Sequence, residues 1–420
     1  MTTRKPHQSV SACHTTLALA VALCLASAAS AQLTLRSGDR FDTVLRVDTA
    51  GVRVQTNQGP QVISWDRVRS VEGAHANDAT QFADLASDAW RARIRLTRGD
   101  FALAAPIFDR LFAALSDASG PTPLLAAKGA LACRIARNDT MGAIEAHLVA
   151  RRLGRMGAAL PESTWRSRAG GASIDALDPT TLLAPALSPM LLLPGSPQAM
   201  QVWRRTRALL PDGKPLASAD PVLLAWRLVA GAMVGAQDKR DLMPLRSALV
   251  QASGEAGDEL IRDVALAFAG APADRNKARD QLETGLVRDE GAWREAWRRM
   301  AIGRSLILEE GAGAQRLGAI ALLHVTARFS ESLPQHSATA LALTAWTLHK
   351  LGDDAGASAL RYELQQSSLS EARLDWLDAQ QRARDATIPS GGPVSMEPNS
   401  PLPRSVTADT RGKNQQGPPS

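Results

Sequence analysis

The feature that most constrains the fold is a change in the spacing of apolar residues near residue 79. Before it they alternate, the period of a strand; after it they recur every three or four residues, the period of a helix. Leu33-Thr34-Leu35, the run from Phe41 to Val47, Val52 with Val54, and Val62 to Val71 are short and rich in β-formers. Ser37-Gly38-Asp39, Asp48-Thr49-Ala50-Gly51 and Gln58-Gly59-Pro60 separate them as turns. This predicts an antiparallel module over 32–74. So small a piece cannot bury a sufficient core alone, so it is expected to dock on the first helices. Beyond residue 79, Phe82, Leu85, Ala89, Ala92 and Leu96 form one helical stripe, and Arg98-Gly99-Asp100 ends it. Phe101, Ala104, Phe108, Leu111 and Leu115 form the next. A turn this short requires the two helices to be antiparallel and packed together. The fold class is therefore mainly α.

Two resemblances follow from these residues. The turn spacing of 33–73 resembles SH3-like or Sm-like small barrels, which implies strands curled into a barrel-like module. The helix pairs resemble tetratricopeptide repeats. Ala92 is the small residue of a first helix, Gly99 lies in the turn, and Ala104 and Phe108 are the small and aromatic residues of the second. A second pair, Leu124–Arg137 and Thr140–Leu153, turns at Asn138-Asp139; Ala143 takes the small position and His147 replaces the aromatic. Ala345, Gly352 and Ala357 repeat the pattern, with Arg361 in the aromatic place. The recurrent spacing of about 38 residues exceeds the ~34 of the standard repeat, so the chain is only tetratricopeptide-like. The resemblance implies a helical-hairpin repeat array, a solenoid, over 79–385. Its concave surface would bind protein or peptide.

The array is interrupted. Residues 172–217 carry Pro179, Pro185, Pro189, Pro194, Pro197, Pro211 and Pro215 and fit one helix, about 198–210. Their leucines point to an irregular insert lying on the helical body. Asp220-Pro221 then opens a helix to about Gly235. Residues 386–420 hold seven prolines and few apolar residues, and read as a disordered tail. At the other end, Arg4 and Lys5, an apolar stretch from Leu17 to Ala29 and Ala29-Ser30-Ala31 read as a cleavable export signal over 1–31. The apolar run of about 13 residues is short of the ~20 a spanning helix needs. No later run reads as a transmembrane segment. The mature chain is thus expected in the periplasm or outside the cell, where association with the envelope is compatible with the pattern.

Chemistry is constrained mostly by what the sequence lacks. Loss of Arg4 and Lys5 lowers the formal net charge of +6 by two, and no Lys/Arg run of five occurs, so nucleic acid is not an expected partner. Two of the three cysteines leave with the signal; Cys133, in an apolar run, reads as a buried inert thiol. There is no GxSxG, phosphate loop, dinucleotide fingerprint, HExxH or CxxC. The mature histidines, His75, His147, His324, His336 and His349, include no pair at i,i+3 or i,i+4. Asp353-Asp354 reads as a helix cap and Glu309-Glu310 as a solvated helix end. Arg98-Gly99-Asp100 is explained by its turn. No catalytic, cofactor or metal residue is assigned. Trp293 and Trp297, one helical turn apart and flanked by arginines, are the candidate ligand contacts, with core packing as the alternative. The leading expectation is a non-enzymatic interaction scaffold of the cell envelope that binds an unidentified protein or peptide. A polysaccharide-binding protein or enzyme using the two tryptophans, and a purely structural envelope component, are the alternatives.

Overall fold

The computed structural model describes residues 31–160, 175–210, 213–252, 254–287, 292–367 and 369–387. Apart from Ala31, Ala386 and Thr387, the expected signal and tail lie outside the described residues. The chain divides into two units, 1–377 and 378–420; of the second, residues 378–387 are described and are helical.

The N-terminal module contains β1 (Gln32–Leu35), β2 (Arg40–Phe41), β3 (Val44–Asp48), β4 (Gly51–Thr56), β5 (Gly59–Ile63) and β6 (Val68–Glu72). They form two three-stranded antiparallel sheets, ordered β2-β1-β6 and β3-β4-β5. The expected barrel closure is corrected: no ladder joins the two sheets. A 3-10 turn at Trp65–Arg67 separates β5 from β6, and β2 is only two residues long, so neither edge continues into the other sheet. The sheets instead share one core of Leu33, Leu35, Val44, Val52, Val54, Ile63, Trp65 and Val68, with Ala86 from the first long helix.

Fifteen α-helices follow among the described residues. The first nine are α1 (Ala76–Thr80), α2 (Ala83–Thr97), α3 (Phe101–Leu115), α4 (Pro121–Ala136), α5 (Thr140–Arg155), α6 (Pro197–Thr206), α7 (Pro221–Met233), α8 (Met243–Gln251) and α9 (Ala256–Ala269). The remainder are α10 (Pro272–Leu286), α11 (Ala292–Leu306), α12 (Ala312–Phe329), α13 (Pro334–Lys350), α14 (Asp354–Gln365) and α15 (Glu371–Thr387). From α2 to α5 and from α9 to α14 each helix packs on the next. The β module docks on this body through Thr122 at the start of α4: its hydroxyl donates to Ala50 O at 2.7 Å and accepts from Trp65 N at 3.0 Å.

The stripe residues sit where the period places them. Ala89, Ala92, Leu96, Ala104, Phe108, Leu111 and Leu115 are buried between α2, α3 and their neighbours. Gly99 has φ +82° and Gly352 φ +83°, left-handed turn conformations that glycine adopts without a Cβ penalty. Ala143 and Ala345 are buried and Ala357 is half-buried. Asp353 caps α14, accepting from Gly356 N at 2.9 Å. Phe108 reaches into α4, where Gly129 leaves the space for its ring. A Cβ at Gly129 would stand 2.1 Å from a ring carbon. Gly129→Ala should therefore destabilise the fold by about 1–3 kcal/mol through overpacking, despite alanine's better helix propensity. A urea midpoint equal to or above that of the parent protein would refute this packing.

Candidate polypeptide-binding groove

The sequence places residues 172–217 on the helical body; the structure places much of that stretch within it. Residues 175–195 form a strap with little regular structure beyond a 3-10 turn at Pro189–Leu191. That turn packs against α7, α9, α11 and α13. Leu183, Ala184, Leu187, Met190 and Leu192 are buried in the main core.

A segment with so few main-chain partners must have its carbonyls satisfied in another way. Five side chains from three helices donate to six of them. Arg151 on α5 donates to Thr181 O at 3.1 Å and Leu182 O at 3.3 Å, and the ring of His147 donates from Nε2 to Leu182 O at 3.0 Å. Trp297 on α11 donates to Pro185 O at 2.8 Å. In the last turn of α11, Arg304 donates to Met190 O and, at 2.7 Å, to Leu192 O. Trp376 on α15 donates to Pro194 O at 2.8 Å. The start of the strap is fixed through Asp178. Its carboxylate caps Thr180 N and Thr181 N, accepts from Trp293 Nε1 at 3.4 Å and lies 3.6 Å from Arg294.

The electrostatics of this inner face are unusual for a core. Arg151 is fully buried and shares Asp258 and Asp220 with Arg155, so two cations and two carboxylates meet beside the strap. Arg304 is buried as well, yet its described partners are carbonyls, the sulfur of Met233 and the ring of Phe268, none of them anionic. Desolvation brings its pKa down to about 9. Burial also lowers His147 to about 4, and it lowers His336, stacked on Trp297, to about 3. Among the described residues, neither ring nitrogen of His336 has a hydrogen-bond partner, nor do Ser305 Oγ and Arg304 Nε.

Trp293 and Trp297, the candidate ligand contacts, come together edge to face with centroids 5.2 Å apart. They are 9% and 0% exposed, and both indole N–H groups are engaged by the strap. The strap-gripping roles of His147, Arg151, Arg304 and Trp376 were not assigned from sequence. His147 stood out only as a departure from the repeat pattern, and it is that departure which reaches the strap. Cys133 is buried, and desolvation pushes its thiol up to about 12, which leaves it protonated and unreactive.

Elsewhere the functional options are thin. An open cleft of about 630 Å³ is lined by Arg275, Arg279, Leu306, Leu308, Glu309 and Glu310 among others. Glu309 there accepts from Arg279 at 3.3 Å, an ion pair at the cleft wall. Among the described residues no cluster of three or more His, Cys, Asp or Glu could hold a metal, and no helix is long and apolar enough to cross a membrane. Comparison with known proteins gives no match: no family model, no curated protein and no solved structure corresponds to the chain.

Proposed function

We propose that the chain is an exported, non-enzymatic interaction protein of the cell envelope whose tetratricopeptide-like helical array binds an extended polypeptide along its inner face. The observation that carries this reading is the strap itself. Side-chain donors spaced along α5, α11 and α15 hold one segment chiefly by its carbonyls, the chemistry needed to hold a peptide in a helical groove. The export signal supports an envelope address. The carbohydrate alternative needs open indole faces for sugars, and Trp293 and Trp297 are buried.

The reading is tested by immobilising the chain from Gln32 onward and passing envelope extract over it, with and without excess synthetic peptide of sequence 178–194. Proteins retained in the first case and displaced in the second are the expected result. An extract from which nothing is retained above a blank column sinks the proposal.

A further inference from the structure

We infer that the strap, through its gripped residues 178–194, is a ligand held in cis. It masks the groove, and a partner gains access by displacing it with an uncharged, aliphatic, proline-containing segment of its own. This rests on the reading of the inner face as a polypeptide-binding surface and adds how that surface is regulated and what it selects.

Four observations point the same way. The grip is directed at the main chain, so any segment with a matching apolar pattern can present the same carbonyls to Trp297, Arg304 and Trp376. The strap is not woven into the body by backbone pairing. Its amides are satisfied mainly by its own turns, such as Leu182 N to Asp178 O and Leu187 N to Ala184 O, and among the described residues one main-chain bond, Gly195 N to Met233 O, ties it to the helices. It also carries strain. Leu182 adopts φ +53°, a left-handed conformation unfavourable for a branched side chain, and it is held there by two donors on its carbonyl. Finally, next to Trp297 and Arg304 lie polar atoms with no hydrogen-bond partner among the described residues: both nitrogens of His336, which stacks on Trp297, Oγ of the neighbouring Ser305, and Arg304 Nε. Buried polar atoms are usually hydrogen-bonded, and a cluster of exceptions calls for a reason. A better-fitting occupant can satisfy them and needs no residue in the left-handed region.

The chemistry of that occupant is read from the strap. From Leu183 to Pro194 it has no charged residue, and Leu183, Leu187, Met190 and Leu192 are among the side chains it buries. The groove therefore selects aliphatic side chains, with prolines between them that keep the segment extended and reduce the entropy lost on binding.

The test uses the full chain from Gln32, unchanged and as the variant Asp178→Asn/Leu187→Ala, which loosens the strap while leaving the groove side chains intact. The probe is a fluorescent peptide of sequence 178–194, with a scrambled peptide as control. The variant should bind the probe at least ten-fold more tightly than the unchanged chain. Hydrogen exchange on the unchanged chain provides a readout that needs no variant. The amides of Leu182, Leu187 and Leu192 should exchange through a local opening, at least 100-fold faster than those within α11 and α13. Equal binding by both chains, or strap amides that exchange only with the inner helices, overturns self-masking while leaving polypeptide binding intact. Binding by neither chain overturns both.

Discussion

Replacing Arg151 by alanine should cost the protein about 3–5 kcal/mol of stability, read as a lowered urea midpoint at unchanged slope. The guanidinium is 0% exposed and Asp258 is 4% exposed. In such surroundings the carboxylate depends on its cations, because water cannot replace them. Truncation also removes the donor to Thr181 O and one of two donors to Leu182 O. Arg155 stays 3.0 Å from Asp258 and 2.8 Å from Asp220, which places the expected loss toward the lower end of that range. The double variant Arg151→Met/Asp258→Leu should recover much of the loss, since a buried pair replaced by apolar groups of similar volume is often near neutral. A single-variant loss below about 1 kcal/mol would show that Arg155 alone suffices for Asp258.

Acid should weaken the fold steeply between pH 6.5 and pH 4. His147 and His336 have folded-state values of about 4 and 3, each lowered chiefly by desolvation, against about 6.5 when unfolded. Both therefore bind protons more readily in the unfolded chain. Their contribution is fully present above pH 6.5 and is lost as pH falls toward the folded-state values. Near pH 5 unfolding takes up about two protons on these rings, a slope of about 2–3 kcal/mol per pH unit. Asp66 and Asp263 shift upward by burial, which acts in the opposite direction. His336→Phe keeps a ring against Trp297 and removes one titration. Its slope near pH 5 should be shallower by about one proton. A variant with the parent slope would place the acid response elsewhere.

The helices are legible in the sequence because their information is local. The stripe from Ala89 to Leu115 fixes two helices and the side each buries, and Gly99, Asn138 and Gly352 mark turns by the left-handed backbone they adopt. The β strands are legible for the same reason, but whether two sheets close into a barrel depends on edge pairing between strands, which alternation does not encode. The site is the least legible part. Trp293 and Trp297 share a helix face by spacing, yet spacing cannot say that the surface they meet is Asp178 and Pro185 of the same chain. The donors that grip the strap act on carbonyls, and every residue has one, so no side-chain pattern betrays the target.

The strap has a consequence for how the chain must fold. Trp297 and Arg304 lie 112 residues from the carbonyls they bind, and Trp376 lies 182 from Pro194. Gln335, at the start of α13, bonds Asn138 across 197 residues. Helical repeats that touch only their neighbours can form one after another, as soon as each has been made. Here the central segment meets Arg151 and His147 early, but Trp297, Arg304 and Trp376 only after a long stretch of further chain has been made. The long loops closed in doing so slow the final step. During that interval Leu183, Leu187 and Leu192 stand uncovered, and apolar surface exposed in this way favours aggregation until the later helices close over it.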